Sequence, residues 1–227
     1  VFGLLTSAWL WLQFRAPLKT PVTRRRASTR ELWRGMRGLF MPLGAIMVAR
    51  GFMHAALAAF LPTFMQRQGG SLWEGGLALA LYEAAGVGGI LLAGRLSDRI
   101  GRRRVLAVSL VGAPLALLLF GAVDGLLRWP ALFLTGGLLL STTPVMLALV
   151  QEQAGRHPAA ANGIFMMISF MARSAIVVVV GWVADRVGLS ATYSISAVCG
   201  LVGLPFILML PARDAAADPT LQSEVDP

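Results

Sequence analysis

Six apolar segments, roughly residues 39–65, 75–94, 105–123, 130–150, 160–183 and 190–211, run through this chain, and each is long enough to cross a hydrocarbon core. A segment inside a bilayer has no water to satisfy its backbone, so it must be a helix or a strand of a closed barrel, and apolar runs of about 20 residues specify helices. The connections are short and either polar or marked by Gly and Pro: 66–71, 95–104, 124–128, 151–158 and 185–189. Such links make sequence neighbours antiparallel neighbours in space. The fold class that follows is an all-α integral membrane protein, a bundle of six transmembrane helices.

Charge agrees with this reading. Only 14% of residues are charged, against about 25% in an ordinary soluble domain. The net charge of +9 would suit nucleic acid if the basic residues formed a face on a soluble fold, but here they lie in short runs between apolar segments, so no nucleic-acid partner is expected. Arg15, Lys19, Arg24, Arg25, Arg26, Arg30, Arg34, Arg37, Arg95, Arg99, Arg102, Arg103, Arg104, Arg156 and Arg213 fall on one side, and only Arg67, Arg128 and Arg186 on the other. Cytoplasmic loops carry the excess of Lys and Arg, which makes the first side cytoplasmic and places a multi-pass protein in a cytoplasmic (inner) membrane. Trp11, Trp33, Trp73 and Trp129 near span ends fit an interfacial aromatic belt.

Residues 1–15 are apolar for too short a distance to span alone, and their positive charges follow the apolar run rather than precede it, so they are expected to be the end of a preceding transmembrane helix. Residues 16–38 read as a basic cytoplasmic linker, 39–211 as the six-helix bundle and 212–227 as a disordered cytoplasmic tail. The single cysteine, Cys199, can build neither a disulfide framework nor a cysteine metal site. No metal, cofactor, nucleotide-binding loop or nucleophile–base pair is evident, so neither an enzyme nor a nucleotide-driven pump is expected.

The connection after span two carries a pattern that recurs. Gly94, Asp98, Arg99 and Gly101 have the spacing Gly-x-x-x-Asp-Arg-x-Gly, followed by Arg102 and Arg103, and the same spacing returns after span five as Gly181, Asp185, Arg186 and Gly188. The copies lie three spans apart and therefore on opposite sides of the membrane, as a 3+3 inverted repeat would leave them. Gly94 is expected to let its helix approach a neighbour closely, and Gly101 to allow the tight turn. Asp98 is expected at a helix N-terminus or paired with an arginine, a contact that can hold one conformation and be released in another.

Gly94 to Arg104 resembles the signature loop of the major facilitator superfamily. That resemblance implies a secondary transporter of twelve helices in two six-helix halves, with this chain similar to the second half and the amino-terminal six-helix half as its missing partner. It also implies that spans three and six, which lack charged residues, are peripheral supports facing lipid. Arg50-Gly51-Phe52 through Phe60-Leu61-Pro62, Thr143-Pro144-Val145 and Gln151-Glu152 look like the fosmidomycin-resistance type of exporter. This implies proton-coupled efflux of a drug-like or anionic small molecule. Proton-coupled import of a sugar or organic acid, and a non-transporting membrane sensor that keeps the fold, are the alternatives.

An ionisable side chain at mid-bilayer costs about 2.5–3.5 kcal/mol on insertion scales and usually faces a bundle interior or aqueous cavity. Arg50 in span one, Glu83 in span two and Arg173 in span five lie at roughly 16–20 Å depth on a rise of 1.5 Å per residue, and His54 shares a helix face with Arg50 four residues on. They are the candidate residues for substrate binding or proton coupling. Either Arg50 and Glu83 form a buried pair that orders the bundle, or the arginines attract an anionic substrate while Glu83 or His54 carries a proton. Thr142 and Thr143, with Ser141 beside Pro144, either contact substrate or satisfy carbonyls freed by the proline. Met166, Met167 and Met171 either line an adaptable wall or simply pack.

Overall fold

The computed structural model describes residue 9, residues 29–155 and residues 157–210. From residue 29 the elements are α1 (Thr29–Arg67), α2 (Leu72–Ile100), α3 (Arg102–Ala122), a 3₁₀ turn (Gly125–Leu127), α4 (Arg128–Gln153), α5 (Pro158–Val187), α6 (Leu189–Leu201) and α7 (Leu204–Leu208), with no strand among the described residues. Six stretches are long and apolar enough to cross a membrane: Arg34–Arg67, Leu72–Ile100, Arg102–Ala122, Gly125–Gln153, Pro158–Val187 and Leu189–Leu208.

Several boundaries differ from expectation: the connections expected at 95–104 and 185–189 shrink to Gly101 and Gly188, the rest of each being helical. The first helix starts at Thr29, so the last ten residues of the expected linker, 29–38, are helical. The sixth span is not one helix. Pro205 has no N–H to give the carbonyl of Leu201, four residues back, so α6 stops there and the chain restarts as α7. Apart from residue 9, the expected helix end at 1–15 lies outside the described residues, as do residues 16–28 of the linker and the tail at 212–227.

Short links are capped by local chemistry. Ser71 accepts a hydrogen bond on Oγ from the Glu74 N–H at 3.2 Å, and Glu74 Oε2 accepts from the Ser71 N–H at 2.6 Å, closing a capping box at the start of α2. At the other end of α2 one residue, Gly101, separates it from α3. Its φ of 95° and ψ of 143° lie where only glycine sits without strain, and its N–H returns to the Ser97 carbonyl at 3.1 Å. Gly188 repeats this between α5 and α6, with φ 81°, ψ 162° and a 3.0 Å bond to the Ala184 carbonyl.

Helix packing carries the same repeat. α1 lies against α5 and α6, α4 lies against α2 and α3, and α3 packs on α6. Exchanging the first three spans with the last three maps this set of neighbours onto itself, so the bundle is a 3+3 inverted repeat. Gly94 does not act as expected: a Cβ there would meet no atom within 4 Å among the described residues, whereas one at Gly181 would lie 3.5 Å from the Phe60 ring. Gly101→Ala is expected to cost about 1–3 kcal/mol through its backbone alone, since the space around it is open. Gly94→Ala should be neutral or slightly stabilising; reversible unfolding in mixed micelles checks both.

Two apolar clusters fill the bundle. One joins Leu57, Phe64, Tyr82, Phe120, Leu132, Val180 and Tyr193; the other joins Leu43, Ile46, Leu106, Val150, Ile164 and Phe165 near the Gly101 end. Beyond the first cluster, Arg128 seals the opposite end. Its guanidinium lies 5.7 Å from the Phe64 ring centre and 5.6 Å from that of Phe120, and it donates to Gln68 Oε1 at 2.5 Å, Asp124 Oδ1 at 2.7 Å and the Val123 carbonyl at 3.2 Å. One arginine, counted in the sequence only as an outward charge, thus ties together α1, α3 and α4.

Spans three and six expose aliphatic surface, including Val108, Leu115 and Leu119 on α3 and Ile195 and Val198 on α6. They are nevertheless better packed than α2 and α5, whose spanning windows are only 28% and 22% buried. The most open faces of this bundle belong to the second and fifth spans.

Candidate functional site

Between the two apolar clusters lies an open cavity of about 340 Å³. On α1 the clusters occupy residues up to Met47 and from Met53, and Arg50 and Gly51 fall in the gap. The same holds on α2, where Glu83 lies between Tyr82 and Ala93. It holds on α4, with Thr143 between Leu139 and Val145, and on α5, with Ser169 and Arg173 between Phe165 and Ile176. Four helices therefore place their polar residues in one layer midway along the bundle.

Arg50 crosses from α1 to α4. It donates through Nη2 to Thr143 Oγ1 at 2.8 Å and through Nη1 to the Leu139 carbonyl at 3.3 Å. Both acceptors are neutral, so the guanidinium is held in place with its charge uncompensated by them. Its Nε is buried without a hydrogen-bond partner. Gly51, next to it, lets α5 come close: a Cβ there would lie 2.6 Å from Ile176 Cδ1.

Glu83 and Arg173 face the same space. Neither forms a salt bridge with the other or with Arg50 among the described residues. The buried Arg50–Glu83 ion pair, one of the two sequence readings, is therefore not formed in this conformation. His54 is engaged differently: its Nδ1 lies 2.7 Å from the hydroxyl of Tyr82, a fully buried side chain of α2. With a neutral ring accepting at Nδ1 the phenol is the donor; a second proton on the ring reverses the bond and makes Nδ1–H the donor.

Arg50, His54, Glu83, Arg173 and Thr143 thus come together, and Thr142 does not. Thr142 is buried and returns its hydroxyl to the Leu139 carbonyl of its own helix at 2.7 Å. Ser141 turns toward α3, 2.9 Å from the Ser109 hydroxyl. The two hydroxyls bond within or between helices, and only Thr143 reaches the cavity. Of the methionines, Met166 lines it, while Met167 and Met171 are exposed on other faces of α5. Tyr82 and Ser169 were not singled out from sequence. The signal available for Tyr82 was its rarity, one of two tyrosines, next to an intramembrane glutamate.

The hinge motif lies apart from this cavity and has its own chemistry. Arg102, at the first position of α3, contacts Asp98 at 3.4 Å and donates to Glu152 Oε1 through Nε at 2.8 Å and Nη2 at 2.5 Å. Asp98 thus takes the arginine-paired form of the two expected, and Glu152 extends the contact to the end of α4. Arg103 donates to the Leu208 carbonyl of α7 at 3.4 Å, and Arg99 is exposed. In the second copy the residue corresponding to Arg102 is Leu189, and Arg186 instead lies over the Trp182 ring at 4.0 Å. The repeat has kept the turn and lost the charge network.

The family model described as the Major Facilitator Superfamily matches residues 1–177. No curated protein matches the chain.

Proposed function

The chain belongs to the major facilitator superfamily of membrane transporters, and from that premise we propose that it exports a small solute bearing an anionic group in exchange for protons. Transport proceeds by alternating access in a cytoplasmic (inner) membrane. The observation that carries this reading is the mid-bundle cavity, in which two arginines face a single carboxylate without being neutralised by it. Placing an uncompensated guanidinium in a low-dielectric layer is costly, and a ligand anion removes that cost. The open faces of α2 and α5 supply the surface for a second six-helix bundle, against which this one rocks. The outward direction rests on the likeness of Arg50 to Pro62 and of the Thr143-Pro144 turn to exporters.

Glu83 takes the proton-coupling role in this proposal, because it opens on the cavity and forms no salt bridge among the described residues. His54 and Tyr82 form the second proton-responsive pair. In proteoliposomes of the full-length native protein with an imposed pH gradient, Glu83→Gln is expected to reduce gradient-driven accumulation of p-toluenesulfonate to the equilibrium ratio, while counterflow of the same anion persists. Retained accumulation in the variant would remove Glu83 from coupling. Absence of any anion counterflow in the unaltered protein would remove the anion reading itself.

A further inference from the structure

We propose that the cavity takes an amphiphilic organic anion, a compact anionic head joined to an unfunctionalised apolar body, and not a polyhydroxylated solute. The inference rests on the anion reading above and adds the chemistry of the rest of the ligand.

The head has donors waiting for it. Arg50 gives one N–H of each terminal nitrogen to neutral acceptors of α4 and keeps the second N–H of each for a ligand. Arg173 makes no hydrogen bond or ion pair among the described residues, although it opens on the same space. A carboxylate, sulfonate or phosphonate group matches these two guanidinium groups.

The remainder of the wall has little to offer a polyol. Its uncharged hydroxyls are those of Thr143 and Ser169, and both are engaged by the protein: Thr143 Oγ1 accepts from Arg50, and Ser169 Oγ donates to the Phe165 carbonyl at 2.9 Å. No asparagine or glutamine lines the cavity. Each sugar hydroxyl brought in without a partner would lose its water bonds for nothing, at about 1–3 kcal/mol apiece.

Apolar groups take the remaining positions, and they are arranged. Met166, Phe170 and Arg173 follow at i, i+4 and i+7 on one face of α5, and Met47 and Arg50 at i and i+3 on α1. Both helices run away from the Gly101 end of the bundle, so Met166, Phe170 and Met47 lie nearer that end than the arginines do, while Ile176 of α5 lies on the far side of Arg173. On α2, which runs the other way, Ile90 likewise lies nearer that end than Glu83. Ile176 and Leu140 stand on the far side, but the larger apolar surface lies toward Gly101, which puts the head among the charges and the body over Met47, Phe170 and Met166. A methionine and phenylalanine wall accepts varied apolar shapes.

The test is competition against radiolabelled p-toluenesulfonate binding to the full-length native protein in nanodiscs, with binding to empty nanodiscs subtracted. The competitors are 4-alkylbenzenesulfonates from methyl to butyl, the matching 4-alkylphenyltrimethylammonium cations, and glucose. The sulfonates are expected to tighten roughly threefold to fourfold per methylene, with no competition from the cations or glucose. Phe170→Ser should flatten that slope, weakening the butyl compound more than the methyl one, and an unfolding midpoint like that of the unaltered protein reports an intact fold. Arg173→Gln should weaken the whole sulfonate series about tenfold with the slope kept, and Arg173→Lys should restore part of it. A flat series with toluenesulfonate still bound would overturn the amphiphile inference and leave the anion reading standing. Equal competition by the cations would overturn both, and competition by glucose would overturn the exclusion of polyols.

Discussion

Replacing Arg50 by glutamine is expected to weaken binding of an anionic solute, and its transport at subsaturating concentration, by roughly a hundredfold, equivalent to about 3 kcal/mol. The size follows from what Arg50 does in the cavity. It is fixed from two sides, by the Thr143 hydroxyl and the Leu139 carbonyl, so its charge stands in place before a ligand arrives and little ordering is needed on binding. Arg50→Lys should fall between the two, because an ammonium keeps the charge but cannot span both acceptors as the planar fork does. Thr143→Val removes one of the two anchors and should cost up to roughly tenfold. Thermal unfolding separates this account from a purely structural one. If Arg50 served only to order the bundle, Arg50→Gln would lower the unfolding midpoint and leave the affinity of the remaining folded protein within a factor of three.

The same residue shows what could be read from the chain. Hydropathy and spacing place Arg50, Glu83 and Arg173 at similar depth because helix rise is fixed, and depth is a property of each helix taken alone. Which of them touch depends on the rotation of one helix against another. Thr142 and Thr143 make the point most sharply: they are adjacent and chemically identical, yet one closes on its own helix and the other receives Arg50. Gly101 and Gly188 were legible because a single residue between two helices needs a backbone that only glycine adopts freely, and the two copies betrayed each other by spacing. Glu152 was visible only as part of a family likeness; its contact with Arg102 joins residues fifty apart in sequence. The helical start at Thr29 was missed because hydropathy reports where a helix enters the apolar layer, while arginine, glutamate, leucine and methionine allow it to begin earlier in water.

The close crossing of α2 and α4 sets the second large effect, on stability. A Cβ added at Gly136 would fall on the Tyr82 carbonyl, and one added at Gly89 would fall on the Gly137 carbonyl. Backbone atoms in mid-helix cannot turn aside as a side chain can, so the two helices must separate. Gly136→Ala is therefore expected to destabilise by about 1–3 kcal/mol, even though alanine is the better helix former by about 1 kcal/mol. Gly88→Ala supplies the control, being on α2 beside this crossing but with no atom within 4 Å of its Cβ; it should be stabilising. The repeat-related crossing of α1 and α5 gives a third comparison. There the Cβ of a Gly51→Ala variant meets the flexible end of Ile176, which can change rotamer, so the cost should be smaller than at Gly136. Equal unfolding midpoints for the Gly136 and Gly88 variants would show that the crossing is not held by backbone contact.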